Sequence, residues 1–520
     1  MSESRNPYEQ PPGAPRPDSA PAAPAHAAPA SQHAAAAPGT ADPPPAASGN
    51  AQVTGVLDAA RRLHLSNPLP HLAVGLASYL AALMVAVLVL VSGIIAAAIS
   101  GDPGGTTTTP DPGATNGVDD SGLGVLIGLL GLPAQIVALA TFGSYYLQVD
   151  IDFGFGGIGS FSATANLRAV PLLVTLALVG TAFIGGWVVR RFQKRAGIAG
   201  MVLGAVLAGL PVAVLALALT RGLAMRISEA EITVMGHAAG ADMFLGTWVL
   251  VTAPLLLGQL AGSRHARWWP WVSDLAAGTR LAIVHLLLVT VPAAIVYGLV
   301  AGVRILIEDG PRQLLSTLFA LPLYAVNLLV YLAGFASLAP LSSSGHNQQF
   351  DVLPSLSEER LWLWDQPWYA AIGLLLWSLV VMVVVSLLWQ HRRGVVPGSP
   401  VSVLGSWIAL PLIYFMGGVV LLAVSYVAVG FNAGYFFGDT QLRFGIAPWL
   451  PVMTFLVGVV LEFVSRFAAP LAAPFVPGVL LGWIRGKDGA PASTPGADGR
   501  GAEAGDHTAP DGGAAPGGGG

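Results

Sequence analysis

Two ionisable residues, Glu462 and Arg466, stand four apart inside the apolar region 446–484. That spacing puts them on one face of a helix, within pairing reach. A charge deep in a bilayer is costly, so such a pair marks either a functional site or a pin between helices. His285 lies in the apolar run 281–303, where an imidazole serves either as a proton relay or as a hydrogen-bonded link. Gln135 and Asn327 fall in two apolar segments that share a Leu-Pro step, Leu132-Pro133 and Leu321-Pro322. Hydrogen bonds between helices, worth about 0.6–2 kcal/mol, account for both without a ligand.

No catalytic, cofactor-binding or metal-ligating set emerges beside these five residues. Gly154-Phe155-Gly156-Gly157 has neither the spacing nor the Lys-Ser/Thr of a phosphate loop. Gly159-Ser160-Phe161-Ser162 lacks the second glycine of a nucleophile elbow. Phe437-Gly438-Asp439 has no companion aspartate motif, and His346 with Asp351 is too small a set for a metal. The chain has no cysteine, which excludes disulfides, thiolate catalysis and Cys-ligated zinc or iron–sulfur clusters. We expect no cofactor and do not read the chain as an enzyme.

The elements that must position these residues follow from composition. Of 520 residues 54% are hydrophobic and only 10% charged, with mean hydropathy +0.67. A soluble domain carries about 25% charged residues, so this chain could not cover a water-facing surface. Its apolar residues come in long blocks, the pattern of lipid-facing helices. Strand-type alternation over the roughly ten residues of a membrane barrel strand is absent, so the expected class is all-α. A net charge of −4 gives no reason to invoke nucleic acid. Residues 1–50 and 485–520 are rich in Pro, Ala and Gly and cannot bury enough surface to offset ordering entropy, so both tails read as disordered. Residues 51–71, with Val53, Val56, Leu57, Arg61 and Arg62, read either as a surface-lying amphipathic helix or as a juxtamembrane linker.

Residues 72–484 read as the transmembrane domain. The run 72–99 follows Arg61 and Arg62 and precedes an acidic stretch, Asp102, Asp111, Asp119 and Asp120. Basic flanks stay cytoplasmic, so the N-terminus lies inside. Segments 122–146, 147–168 and 169–195 follow, and the last closes on Arg190-Arg191-Phe192-Gln193-Lys194-Arg195, which holds one of the chain's two lysines. Plain counting brings that cluster outside, and its charge keeps it inside. Either 122–146 dips and returns, turning near Gly131-Leu132-Pro133, or the charge rule fails locally. Spans are then expected over 198–220, 243–261 and 281–303. Segment 314–339, with Ala320-Leu321-Pro322, repeats the conflict, since 370–389 ends at His391-Arg392-Arg393. Two like conflicts suggest an internal repeat, with Leu132-Pro133 set against Leu321-Pro322 and a third Leu-Pro at Leu410-Pro411 in the span 406–429.

The Ala/Pro-rich tails, the spans over 72–484 and Leu132-Pro133 followed by Phe153-Gly154-Phe155-Gly156-Gly157 resemble the streptophobe family of very hydrophobic actinobacterial membrane proteins. The resemblance implies a multi-pass fold and brings no catalytic residues. The expectation is therefore an all-α bundle of eight to ten spans in the cell membrane, with both tails cytoplasmic. Its partners are the lipid bilayer and a membrane protein of unknown identity. Its role is that of a non-enzymatic scaffold or accessory component, or alternatively that of a secondary transporter or permease for a small solute or lipid.

Overall fold

The computed structural model describes residues 67–101, 120–151, 161–193, 197–229, 232–261, 270–347, 359–392, 400–433 and 439–472. Helices dominate: α1 Leu69–Ser100, α2 Asp120–Ala140, α3 Leu172–Phe192, α4 Ile198–Gly222, α5 Ala241–Ala261, α6 Pro270–Glu308, α7 Gly310–Ala336, α8 Trp368–Arg392, α9 Pro400–Ser425, α10 Leu450–Phe467 and the short α11 Ala469–Ala472. Among the described residues nine helices, α1 and α3 to α10, are long and apolar enough to cross a membrane. In lipid a helix satisfies its own backbone, which is why such blocks fold this way. The chain is a multi-pass membrane protein. The tails 1–50 and 485–520, the juxtamembrane stretch 51–66 and the region beyond residue 472 lie outside the described residues.

Close helix packing comes from small residues. On α3, a Cβ at Gly186 would meet the Leu255 carbonyl of α5, and on α5 a Cβ at Gly258 would meet the Phe183 carbonyl of α3. Gly418 of α9 and Gly458 of α10 are set in the same reciprocal way, against Pro451 and Pro411. Lipid is as apolar as leucine, so backbone approach at small residues drives this association.

The expectation of an all-α fold is corrected by an eight-stranded antiparallel sheet. Its strands are β1 Tyr145–Ile151, β2 Phe161–Arg168, β3 Met225–Glu229, β4 Ile232–His237, β5 Leu341–Asn347, β6 Glu359–Leu361, β7 Val427–Asn432 and β8 Asp439–Ile446, in spatial order β3-β4-β1-β2-β7-β8-β5-β6. Four of the stretches between helices, those after α2, α4, α7 and α9, are hairpins of this sheet. Period-two alternation is present: Leu147, Val149 and Ile151 oppose Ala165, Ala163 and Phe161, while Gln148 and Asp150 oppose Thr164 and Ser162. These strands have at most eight residues, below the length of a lipid-spanning strand, so a search for barrel strands passes over them. The sheet edges are blunted as edge strands require. Against β3 lies α2, with Gly128 beside Met225 and Gly131 beside the Leu223 carbonyl, and β6 has three residues.

The chain repeats. A lone long helix (α1, α6) precedes two helix–hairpin–helix units (α2–α3 and α4–α5; α7–α8 and α9–α10). The sheet order is the same four-strand block used twice, β3-β4-β1-β2 and then β7-β8-β5-β6. The turns after α2 and α7 are alike in detail. Phe142 and Leu338 are the two non-glycine residues with positive φ among the described residues, at 67° and 59°. Thr141 N bonds Val137 O as Ser337 N bonds Ala333 O, and Gly143 N bonds Ala138 O as Ala339 N bonds Gly334 O. The expected repeat exists, but its register differs. Counting back from these turns sets Pro133 against Leu329, two helical turns from Pro322. The shared Leu-Pro was a coincidence of apolar sequence.

Because all four hairpins join one sheet, the helices that flank them meet it at one end of the bundle. The C-terminal end of α3, with Arg190 and Arg191 in its last turn, lies at the opposite end, beside the start of α1, where Gln193 Nε2 donates to Asn67 O at 3.1 Å. A single residue, Asp309, separates α6 from α7. The α7 N-terminus packs on the C-terminal end of α1, with Ser316 Oγ donating to Ala96 O at 2.9 Å and Arg312 bonded to the Ile99 and Gly101 carbonyls. From there α7 runs back to β5. Both α2 and α7 therefore finish at the sheet.

Candidate functional site

Glu462 is buried on α10 and holds three helices together. Its Oε1 accepts from Arg466 Nε at 2.6 Å and its Oε2 from Trp389 Nε1 of α8 at 2.7 Å. Arg466 also donates to Ser406 Oγ of α9 at 2.9 Å and lies 4.0 Å over the Trp407 ring. Pair, indole and hydroxyl satisfy one another, which is how a buried charge is tolerated. His285 of α6 meets the Tyr414 hydroxyl of α9 through Nδ1 at 2.6 Å. The two arrangements belong to one apolar cluster that includes Leu281, Trp389, Leu410 and Leu461.

Gln135 and Asn327 bridge elements through backbone groups. Gln135 Nε2 donates to Thr220 O at 3.0 Å and Leu223 O at 3.3 Å, and its Oε1 accepts from Ala238 N at 2.7 Å. Asn327 Nδ2 donates to Val170 O at 2.9 Å, and its Oδ1 accepts from Leu172 N at 3.3 Å. In the second repeat Tyr331 takes the place of Gln135, its hydroxyl donating to Ser425 O at 3.3 Å. All five polar residues singled out from the sequence thus tie helices or hairpins together. They are not gathered into one pocket.

A different group of residues lines a cavity of about 660 Å³ between the sheet and the adjoining helix ends. One wall carries Ser342, Ser344, Arg168 and Arg443, with Tyr426 and Asp242 at its margin, and the floor is apolar, formed by Phe142, Val170, Leu422 and Ile446. Register builds the polar wall. Arg168 of β2 faces Ala428 of β7, Ala428 faces Arg443 of β8, and Arg443 faces Ser344 of β5. Directly opposed residues share a sheet face, so two guanidiniums flank an alanine on one row. Asp242 in the first turn of α5 pairs with Arg168 at 3.6 Å and accepts from Ser144 Oγ at 3.0 Å. Arg443 donates to Gln441 Oε1 at 2.9 Å and has no carboxylate partner among the described residues. The single-letter spacing of these residues carries no signal, because their row crosses four strands from three hairpins.

On the neighbouring strand pair, His237 of β4 lies 6.2 Å from the Tyr146 ring. Burial first, and then the charge of Arg221, hold His237 below the ordinary histidine range, and its Nδ1 has no hydrogen-bond partner. Among the described residues no group of three His, Asp or Glu is placed to hold a metal. No protein-family profile, curated protein or solved structure matches this chain.

Proposed function

We propose that the protein is a non-enzymatic membrane scaffold or accessory subunit that holds its sheet at the outer face of the cell membrane. One observation carries this reading: four hairpins, fed by both repeats, form a single continuous platform at one end of the bundle. Glu462, Arg466, His285, Gln135 and Asn327 support it, since each is spent on joining helices or hairpins. Arg190 and Arg191 lie at the end opposite the sheet, which supports a cytoplasmic side for that end and, with it, for both tails. On this reading α2 and α7, which finish at the sheet, do not cross, and α1, α3 to α6 and α8 to α10 make eight crossings. Membership of the streptophobe family belongs to the same reading and is supported by the tails and the order of spans.

The absence of cysteine makes the test direct. Single cysteines at Ser228 of β3 and at Gln193 are treated in intact cells with a membrane-impermeant maleimide. We expect Ser228→Cys to label and Gln193→Cys to stay unlabelled. The reverse pattern overturns the orientation. A photo-crosslinker at Leu442, exposed on β8, is expected to give a discrete protein adduct in cells. No adduct, together with purification free of any protein partner, overturns the scaffold role.

The tandem repeat favours a second reading, a permease for a small solute or lipid, because internal repeats recur among secondary transporters. Liposomes in which the purified protein neither moves nor binds candidate solutes, with Glu462→Gln silent in cells, would remove it.

A further inference from the structure

We propose that the cavity at the seam between the two repeats binds a phosphate group, held between Arg168 and Arg443. The two arginines stand on one row of the polar sheet face with Ala428 between them. Neighbouring strands lie about 4.8 Å apart, so their Cα atoms are separated by about 10 Å. The alanine leaves the space between the two guanidiniums free of side chain. A tetrahedral anion can accept from both guanidiniums there, in the charge-assisted geometry that arginine favours for phosphate.

The charge balance of the cavity favours an anion. Its lining holds two arginines against one carboxylate, Asp242. That carboxylate is engaged by Arg168, by Ser144 and by the Met243 amide at 2.9 Å. Ser342 and Ser344 add hydroxyl donors on the same wall. The Arg168 and Asp242 side chains are 51% and 34% exposed, so an incoming anion reaches Arg168 without unfolding the pair.

The other surfaces of the cavity narrow the ligand. Phe142, Val170, Leu422 and Ile446 form an apolar floor at the helix ends, and Trp449, next in sequence to the lining residue Pro448, stacks on Trp362, which stacks on Trp364. Stacked tryptophans belong at a membrane–water boundary. A phosphate with an apolar body beside it fits both surfaces, and an anionic phospholipid headgroup has that form. A soluble phosphate shares the same anion chemistry and uses the arginines alone. The site stands whether or not the sheet carries a protein partner.

Native mass spectrometry of the full-length protein, with phosphatidylglycerol or inorganic phosphate added, tests the assignment. We expect phosphatidylglycerol adducts on the wild type and a loss of about tenfold in occupancy in Arg443→Gln, the size of one charge-assisted contact. Asp242→Asn removes the competing carboxylate and should raise occupancy, which also serves as the measurement if Arg443→Gln fails to fold. Displacement of the lipid by millimolar inorganic phosphate identifies a soluble phosphate as the ligand. Adducts that resist phosphate identify the lipid headgroup. Equal occupancy in wild type, Arg443→Gln and Asp242→Asn, or no adduct with either probe, overturns the site.

Discussion

Glu462 illustrates what a buried carboxylate does in an apolar bundle. It accepts from Arg466 on its own helix and from Trp389 on a neighbour, and Arg466 reaches Ser406 on a third. Removing one partner strands the other charge in a largely buried position. We expect Glu462→Ala to cost about 3–5 kcal/mol. Replacing both charges, Glu462→Leu with Arg466→Met, should recover most of that loss, because an apolar pair of like volume has no desolvation penalty. Thermal unfolding in detergent measures both. A double variant as unstable as the single one would mean that the pair does more than join α8, α9 and α10. His285 follows the same logic, since its one described hydrogen bond goes to Tyr414 across two helices.

At the scale of elements, the hairpins carry the chemistry that responds to pH. His237 sits on β4 opposite Tyr146 of β1. Its proton affinity is lowered by burial and by the positive charges of Arg221 and Arg226. The folded hairpin therefore keeps it neutral at a pH where the unfolded chain already binds a proton. Above the ordinary histidine value of about 6.5 both states are neutral and stability is unaffected. Below it the unfolded state gains a proton first, so stability falls as pH falls. Hydrogen exchange of the β1 and β4 amides, corrected for the intrinsic rate, should show weaker protection at about pH 5.5 than at about pH 7.5. His237→Gln should remove most of that difference, and an unchanged difference would assign it to other groups. Protection of the edge strand beside β4 depends on α2, whose Gly128 and Gly131 allow it to lie against β3. That approach is written in two glycines of an apolar helix, where they read as ordinary membrane composition.

The molecule as a whole is two copies of one five-helix plan joined along a seam. Five residue pairs between β2 and β7, from Thr164–Asn432 to Arg168–Ala428, make the sheet continuous, and α7 packs on α1 through Ser316 and Arg312. These contacts do not need the connection between α5 and α6. Residues 1–265 and 266–520 produced as separate chains should therefore assemble and co-purify. Ala165→Pro, which removes a ladder donor in a central strand, should weaken that association, and halves that never co-purify would show that the covalent link holds the seam.

Composition alone determined that the chain lives in a membrane, since a tenth of charged residues cannot clothe a water-facing fold. Apolar block length placed the spans near their helices, as 198–220 lies within Ile198–Gly222 and 370–389 within Trp368–Arg392. Charge at the ends of blocks raised a conflict at 122–146 and 314–339, the segments whose helices, α2 and α7, lead into β1 and β5. Alternation in Leu147-Gln148-Val149-Asp150 and in Leu442-Arg443-Phe444 was also legible, but such short alternating runs are equally at home in loops. The sheet became definite only through pairing between hairpins that lie far apart along the chain. The register of the repeat and the row Arg168, Ala428, Arg443 were decided by tertiary structure alone. Both depend on which strands become neighbours, and strand order is set by how helices pack, which no local pattern of residues encodes.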